Sequence, residues 1–231
     1  MKFNIGVTKG AAEAGQRLTA GIHKAKFMGV DRGTVEGKNG DTYDVVSLTL
    51  DVDGYGEYKQ NFFVPANDED EERTEGVYGP NPSKAEHFLI AMREIIAAVA
   101  PDAIEAIDKD QPVVIDDEEI KLGGSLTQFV NAMKKITNKH AGEEVEVKFI
   151  PQSNGFVSLP TFCARITRQG NLGIQTTFIG HDLTLSQREQ RAIDNARNAT
   201  PTNMASKEKG DKMLEDLRSD LKKDEGDDLP F

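Results

Sequence analysis

Three stretches of alternating side chains, divided by tight-turn dipeptides, constrain this chain more than any other feature. The first runs from Arg17 through Leu18-Thr19-Ala20-Gly21-Ile22-His23 to Val30. Its glycines at 21 and 29 predict bulges that let a long strand curve. Lys38-Asn39-Gly40-Asp41 is a strong turn signal. From Tyr43 to Val52, Val46, Leu48, Leu50 and Val52 share one face, and Tyr43, Val45, Ser47 and Thr49 share the other. Asp53-Gly54 then turns the chain into Tyr55–Val64. The spacing predicts an antiparallel meander of three strands.

Polarity changes at Pro65, and the acidic stretch 66–82 ends in Gly79-Pro80-Asn81-Pro82, which reads as a loop. Ser83 with Glu86 forms a capping box, and Phe88, Leu89, Met92, Ile95, Ile96 and Val99 follow at helical spacing until Pro101. Ser125 with Gln128 opens a second helix carrying Leu126, Phe129, Val130, Met133 and Ile136. Strand patterns return over 143–151 and 155–167, with a shorter one over 173–179. Leu185-Ser186 with Glu189 starts a polar helix over 187–198, and 211–223 holds a narrow apolar face on a mostly charged segment.

Three strands, a helical insertion over about 83–138 and two further strands are the element order of a five-stranded OB-fold-like barrel, mainly β. A generic α+β domain with helices on an antiparallel sheet is the alternative. The division expected is a barrel domain over 1–181 with a poorly fixed lead-in, a polar helical linker over 182–223, and an acidic, disordered tip over 224–231.

The formal net charge of −11 argues against a nucleic-acid partner at first sight. Much of the excess sits in two short blocks, Asp68–Glu72 with Glu75 and Asp116-Asp117-Glu118-Glu119, and in the C-terminal segment. The remaining body is close to neutral, which permits a local basic groove. Cys163 is the one cysteine, so an internal disulfide and a cysteine-based zinc site are excluded, and it reads as a small core residue. No apolar run approaches the roughly 20 residues of a membrane-spanning helix. The N-terminus lacks the pattern of a secretory signal, which points to a cytoplasmic protein.

Enzymatic motifs are missing: there is no GxxxxGK[ST], HExxH or GxSxG. His23, His87, His140 and His181 are scattered without metal-ligand spacing. Neighbouring carboxylates at 116–119 in a loop point in different directions and read as a solvated charge run. The expectation is a non-catalytic protein without metal or cofactor.

The final residues, Asp224-Glu225-Gly226-Asp227-Asp228-Leu229-Pro230-Phe231, carry four acids and no base, then an apolar tip. Phe231 can enter an apolar pocket on a partner, beside Leu229 and Pro230, while Asp224, Glu225, Asp227, Asp228 and the terminal carboxylate meet Arg or Lys around its rim.

This ending, together with Leu18–His23, the basic continuation of that strand, and Gly40, resembles bacteriophage single-stranded DNA-binding proteins. The resemblance covers about 15–65, 143–180 and 224–231; the large helical insertion and the acidic loop over 67–75 depart from it. It implies an OB barrel that binds single-stranded DNA with little sequence preference during phage replication, recombination and repair. It also implies recruitment of a polymerase, primase or helicase through the tip, residence in the host cytoplasm, and room for a homo-oligomer.

Such binding needs cations for phosphates and aromatic faces for bases. Lys24, Lys26, Arg32, Lys59, Lys148, Arg165 and Arg168 are the candidate phosphate contacts, and Tyr43, Tyr55, Tyr58 and Phe63 the candidate stacking residues. Phe27, Phe62 and Phe149 are assigned to the core. Two competing functions are an acidic interaction module that mimics nucleic acid, favoured by the net charge, and a metal-dependent nuclease built on the clustered carboxylates, which no spacing supports.

Overall fold

The computed structural model describes residues 17–37, 39–66, 68–76, 79–109, 111–122, 125–152 and 156–198. The meander is present as β1 (Gly21–Glu36), β2 (Thr42–Val52) and β3 (Gly56–Phe63), each antiparallel to the next. The stretch expected as a plain acidic loop holds a small hairpin, β4 (Thr74–Gly76) and β5 (Gly79–Asn81). Helix α1 (Lys84–Val99) starts at the predicted capping box: Ser83 Oγ accepts from the Glu86 N–H and Glu86 Oε2 accepts from the Ser83 N–H.

Pro101 ends that helix as expected but also opens α2 (Pro101–Asp108), where a missing N–H costs nothing in the first turn. The block at 116–119 is a hairpin instead of a loop, β6 (Val113–Ile115) and β7 (Glu118–Ile120). Asp116 and Asp117 form its turn at φ 50° and 65°, a left-handed conformation that Asp tolerates better than most residues.

Helix α3 (Leu126–Thr137) starts at the second predicted capping box. Strands β8 (Glu144–Pro151) and β9 (Val157–Ser158) follow, then a small hairpin, β10 (Ala164–Ile166) and β11 (Leu172–Ile174), and finally β12 (Ile179–Gly180). The described residues fall into two compact units, dividing between Ser186 and Gln187. The second contributes α4 (Gln187–Asn198), a strongly polar helix with Gln190 Nε2 donating to Asp194 Oδ1.

Among the described residues the protein is mainly β, with one curled six-stranded sheet, three two-stranded hairpins and four α-helices. The sheet runs β12-β8-β1-β2-β3, with β9 paired to β8 off that path. Strand β1 organises it by pairing along both edges. Gly21–Lys26 pair with β8, and Ala25–Glu36 pair with β2. Between Phe27 and Gly29 the register shifts, so Met28 is an extra residue. A bulge of this kind bends a strand and raises its twist.

Beyond the bulge β8 no longer accompanies β1, and the end of α3 takes its place. Asn138 Oδ1 accepts from the Val30 N–H at 2.8 Å, and Asn138 Nδ2 donates to the Val30 carbonyl at 3.0 Å. Gly29 fits the spot for two reasons. Its φ is +127°, and a Cβ there would stand 3.0 Å from Asn138 Oδ1.

One core fills the inner side of the sheet. Phe27, Val46, Leu48, Leu50, Phe62, Val147 and Phe149 come from the strands, and Phe88, Met92, Ile95, Met133 and Ile136 come from α1 and α3. Burying each such side chain contributes about 1.5–3 kcal/mol. Phe27, Phe62, Phe149 and Cys163 are core residues, as the sequence predicts.

Glu94 of α1 is 5% exposed within this packing. Burial pushes its carboxyl above the ordinary range, outweighing a hydrogen bond to Thr177 and the nearby Arg93 and Lys148. Burial likewise pushes the Cys163 thiol up to about 12, with Glu94 adding to the effect. A carboxyl raised on folding contributes stability below its unfolded value and loses it as pH rises through the folded one. Glu94→Gln is therefore expected to gain stability over the native protein progressively above about pH 4.3, and to match it below. Urea midpoints of the two proteins across pH read this directly; curves that never separate would contradict it.

Candidate nucleic-acid interface

Paired residues in an antiparallel ladder share a face, so the register sorts the candidates. On β2 and β3, Asp51/Glu57, Thr49/Lys59, Ser47/Asn61 and Val45/Phe63 lie on the outer face. Leu50/Tyr58, Leu48/Gln60 and Val46/Phe62 lie on the inner one. The outer face of β1 carries Lys24 and Lys26 before the bulge, then Gly29, Asp31 and Gly33 after it.

The middle of this outer surface has a floor of small side chains, Gly29, Gly33, Ser47, Thr49 and Asn61, with Ser47 Oγ donating to Asn61 Oδ1 at 2.7 Å. Lys59 stands beside it on β3. At one end Tyr43 and Phe63, 45% and 60% exposed, meet edge to face with ring centroids 5.9 Å apart. Two exposed rings at the end of a polar floor with a lysine beside them can hold a base and the phosphate next to it.

The strand lysines do not stand in an unopposed basic field. Lys24 is opposite Glu146, and Lys26 is flanked by Glu144 on β8 and Asp51 on β2. These neighbouring acids lower the positive potential that a phosphate would meet at the two lysines.

Three expected contacts are corrected. Lys148 shares the outward parity of Lys24, but the segment leading into β12 covers it; it is 4% exposed, with its Nζ near Thr176 Oγ1. Tyr58 is partly buried and packs against the core, its ring centroid 4.8 Å from that of Phe149 and edge-on, its hydroxyl donating to Gln60 Oε1. Burial pushes that hydroxyl up to about 12. Arg32 shares sequence parity with Lys24 and Lys26, yet the extra residue at Met28 reverses the alternation. It lies on the opposite face, across from Val46, bonded to Asp44 at 2.6 Å and to Thr127 at 2.7 Å.

Tyr55 is half-buried, edge-on to His23 and within hydrogen-bond reach of Thr19 Oγ1, so its ring does not stand free. Arg165 and Arg168 are exposed but belong to the separate β10–β11 hairpin. The structure thus brings Lys26, Lys59, Tyr43 and Phe63 onto one face, with Lys24 on the β8 side of it. The tip residues 224–231 lie outside the described residues.

Two features escaped the sequence reading. Phe156 and Phe162 are 61% and 72% exposed, with the Arg17 guanidinium 5.8 Å from the Phe156 ring. The polar side of α3 and the turn after it carries Lys134, Lys135 and Lys139, whose spacing is visible in the sequence beside the helix's apolar stripe. Lys134 reaches across the edge of β1 to Asp31 at 2.6 Å, and this contact holds the Asp31 carboxyl below its usual range.

Among the described residues no three His, Cys, Asp or Glu side chains are grouped to hold a metal ion. Nor is any described helix long and apolar enough to cross a membrane. Compared with known proteins, the chain matches no family model and no curated protein.

Proposed function

We propose that the protein binds single-stranded DNA with little sequence preference, without catalysis, on the outer face of an OB-like barrel. The observation that carries this reading is the exposed Tyr43–Phe63 pair at the end of a polar floor with Lys59 beside it. The sheet order supports the OB assignment: a long, bulged first strand paired on one edge by the second strand and on the other by the strand after the helical insertion. Among the described residues no ladder joins β3 to β12, so the barrel is open at that seam. The acidic tip, in this reading, docks a replication or recombination partner through Leu229, Pro230 and Phe231.

The acids opposite Lys24 and Lys26 favour a second reading, an acidic module that mimics nucleic acid. Titration of labelled oligo-dT by fluorescence anisotropy separates the two. Log affinity is expected to fall linearly with log salt, by about 0.7 per phosphate neutralised. Removing 224–231 is expected to tighten binding modestly at low salt, because four acids able to compete with phosphate are gone. Absence of oligo-dT binding by the folded native protein at low salt sinks the proposal and leaves the mimic.

A further inference from the structure

Lys134, Lys135 and Lys139, with Asn131 and Asn138, ring a shallow depression of about 560 Å³ on the polar side of α3 and the turn after it. Each lysine is held by a carboxylate from another element. Lys134 meets Asp31 of β1 at 2.6 Å, Lys135 meets Glu118 of β7 at 2.7 Å, and Lys139 meets Asp116 in the β6–β7 turn. Two of the three anions therefore come from one short hairpin.

The lysine side chains are 40–54% exposed and the carboxylates 61–81%, so these pairs are solvated and contribute little to stability. A phosphodiester offers the lysines the same charge, and the Asn131 amide can donate to one of its free oxygens. The depression also adjoins the outer sheet face. Asp31, which Lys134 holds, lies one row from Lys59 on that face and is within electrostatic reach of it.

Resting on the single-stranded DNA reading, we propose that this depression is a second phosphate-binding stretch for the strand leaving the sheet face, and that the Asp116/Glu118 hairpin occupies it until DNA displaces it. The site reads no bases, because no exposed ring lines it. Its ligand is the phosphodiester backbone. The hairpin makes binding there an exchange of anions, which lowers the site's affinity modestly.

The test uses the full chain and labelled oligo-dT in a salt series, with circular dichroism to confirm folding. Lys135→Ala with Lys139→Ala is expected to weaken binding on the order of tenfold at low salt and to reduce the salt slope by about 1.4. Asp116→Asn with Glu118→Gln is expected to tighten it. Lys84→Ala with Lys109→Ala makes the same charge change at two exposed, ion-paired lysines elsewhere and is expected to leave the slope unchanged.

Native affinity and slope in the Lys135/Lys139 variant, while the native protein binds DNA, overturn the inference and leave the DNA-binding reading standing. An equal loss in the Lys84/Lys109 control also overturns it, since net charge alone then explains the effect. Failure of the native protein to bind overturns both.

Discussion

Replacing Tyr43 and Phe63 together by Ala is expected to lower affinity for oligo-dT by roughly thirty-fold or more at fixed salt. Base–aromatic stacking contributes about 1–3 kcal/mol per base, and two rings lost from one site give at least about 2 kcal/mol. The salt slope is expected to stay where it was, because no cation is removed. That combination separates stacking from electrostatics: Lys59→Ala has the complementary signature, a shallower slope with a smaller loss. The two rings are exposed and lie outside the main core, so the double variant keeps its fold, which near-native urea unfolding checks. Tyr43→Phe and Phe63→Tyr preserve a π-face and are expected to bind as the native protein does. Undiminished affinity in the double Ala variant would falsify the placement of the site on this face.

The meander, both capping boxes, the bounds of α4 and the core aromatics were legible because each rests on local chemistry: a two-residue period, a turn dipeptide, a side chain reaching its own helix end. Tyr58 was legible too. It shares strand parity with Phe62, and the period that puts Phe62 inside puts Tyr58 there as well. Lys148 was not legible, since its parity is outward and only the later return of β12 along β8 buries it. The lysines flanking the α3 depression could be read as a charged helix surface, but their partners come from other elements, β1 and the β6–β7 hairpin. Pairing of that kind is a product of the fold. The β6–β7 hairpin was hidden by composition: an Asp-Asp turn inside an acidic run looks like solvated loop until Val113 and Ile120 are seen buried on either side of it.

Arg32 points to the second large effect, because one residue decides which face it occupies. The bulge at Met28 reverses the alternation of β1, so even-numbered residues face outward before it and odd-numbered ones after it. A one-residue slip would send Arg32 outward and exchange the faces of everything from Val30 to Glu36. Asn138 is what fixes the bulge in place, since its amide satisfies both the N–H and the carbonyl of Val30 where β8 has already left. Asn138→Ala leaves two part-buried backbone groups without partners, at about 1–3 kcal/mol each. The expected loss is roughly 2–6 kcal/mol, a large share of the 5–15 kcal/mol that holds a typical domain together. Asn138→Asp is expected to recover little, because a carboxylate can accept from the Val30 N–H but sets a second oxygen against the Val30 carbonyl. Urea unfolding of the three proteins measures this. Where the fold survives, Asn138→Ala is also expected to weaken oligo-dT binding, because Gly29, Asp31 and Gly33 border the polar floor and their outward orientation depends on the bulge. A variant with native stability and native DNA affinity would mean that the bulge holds itself, through the backbone of Gly29 alone.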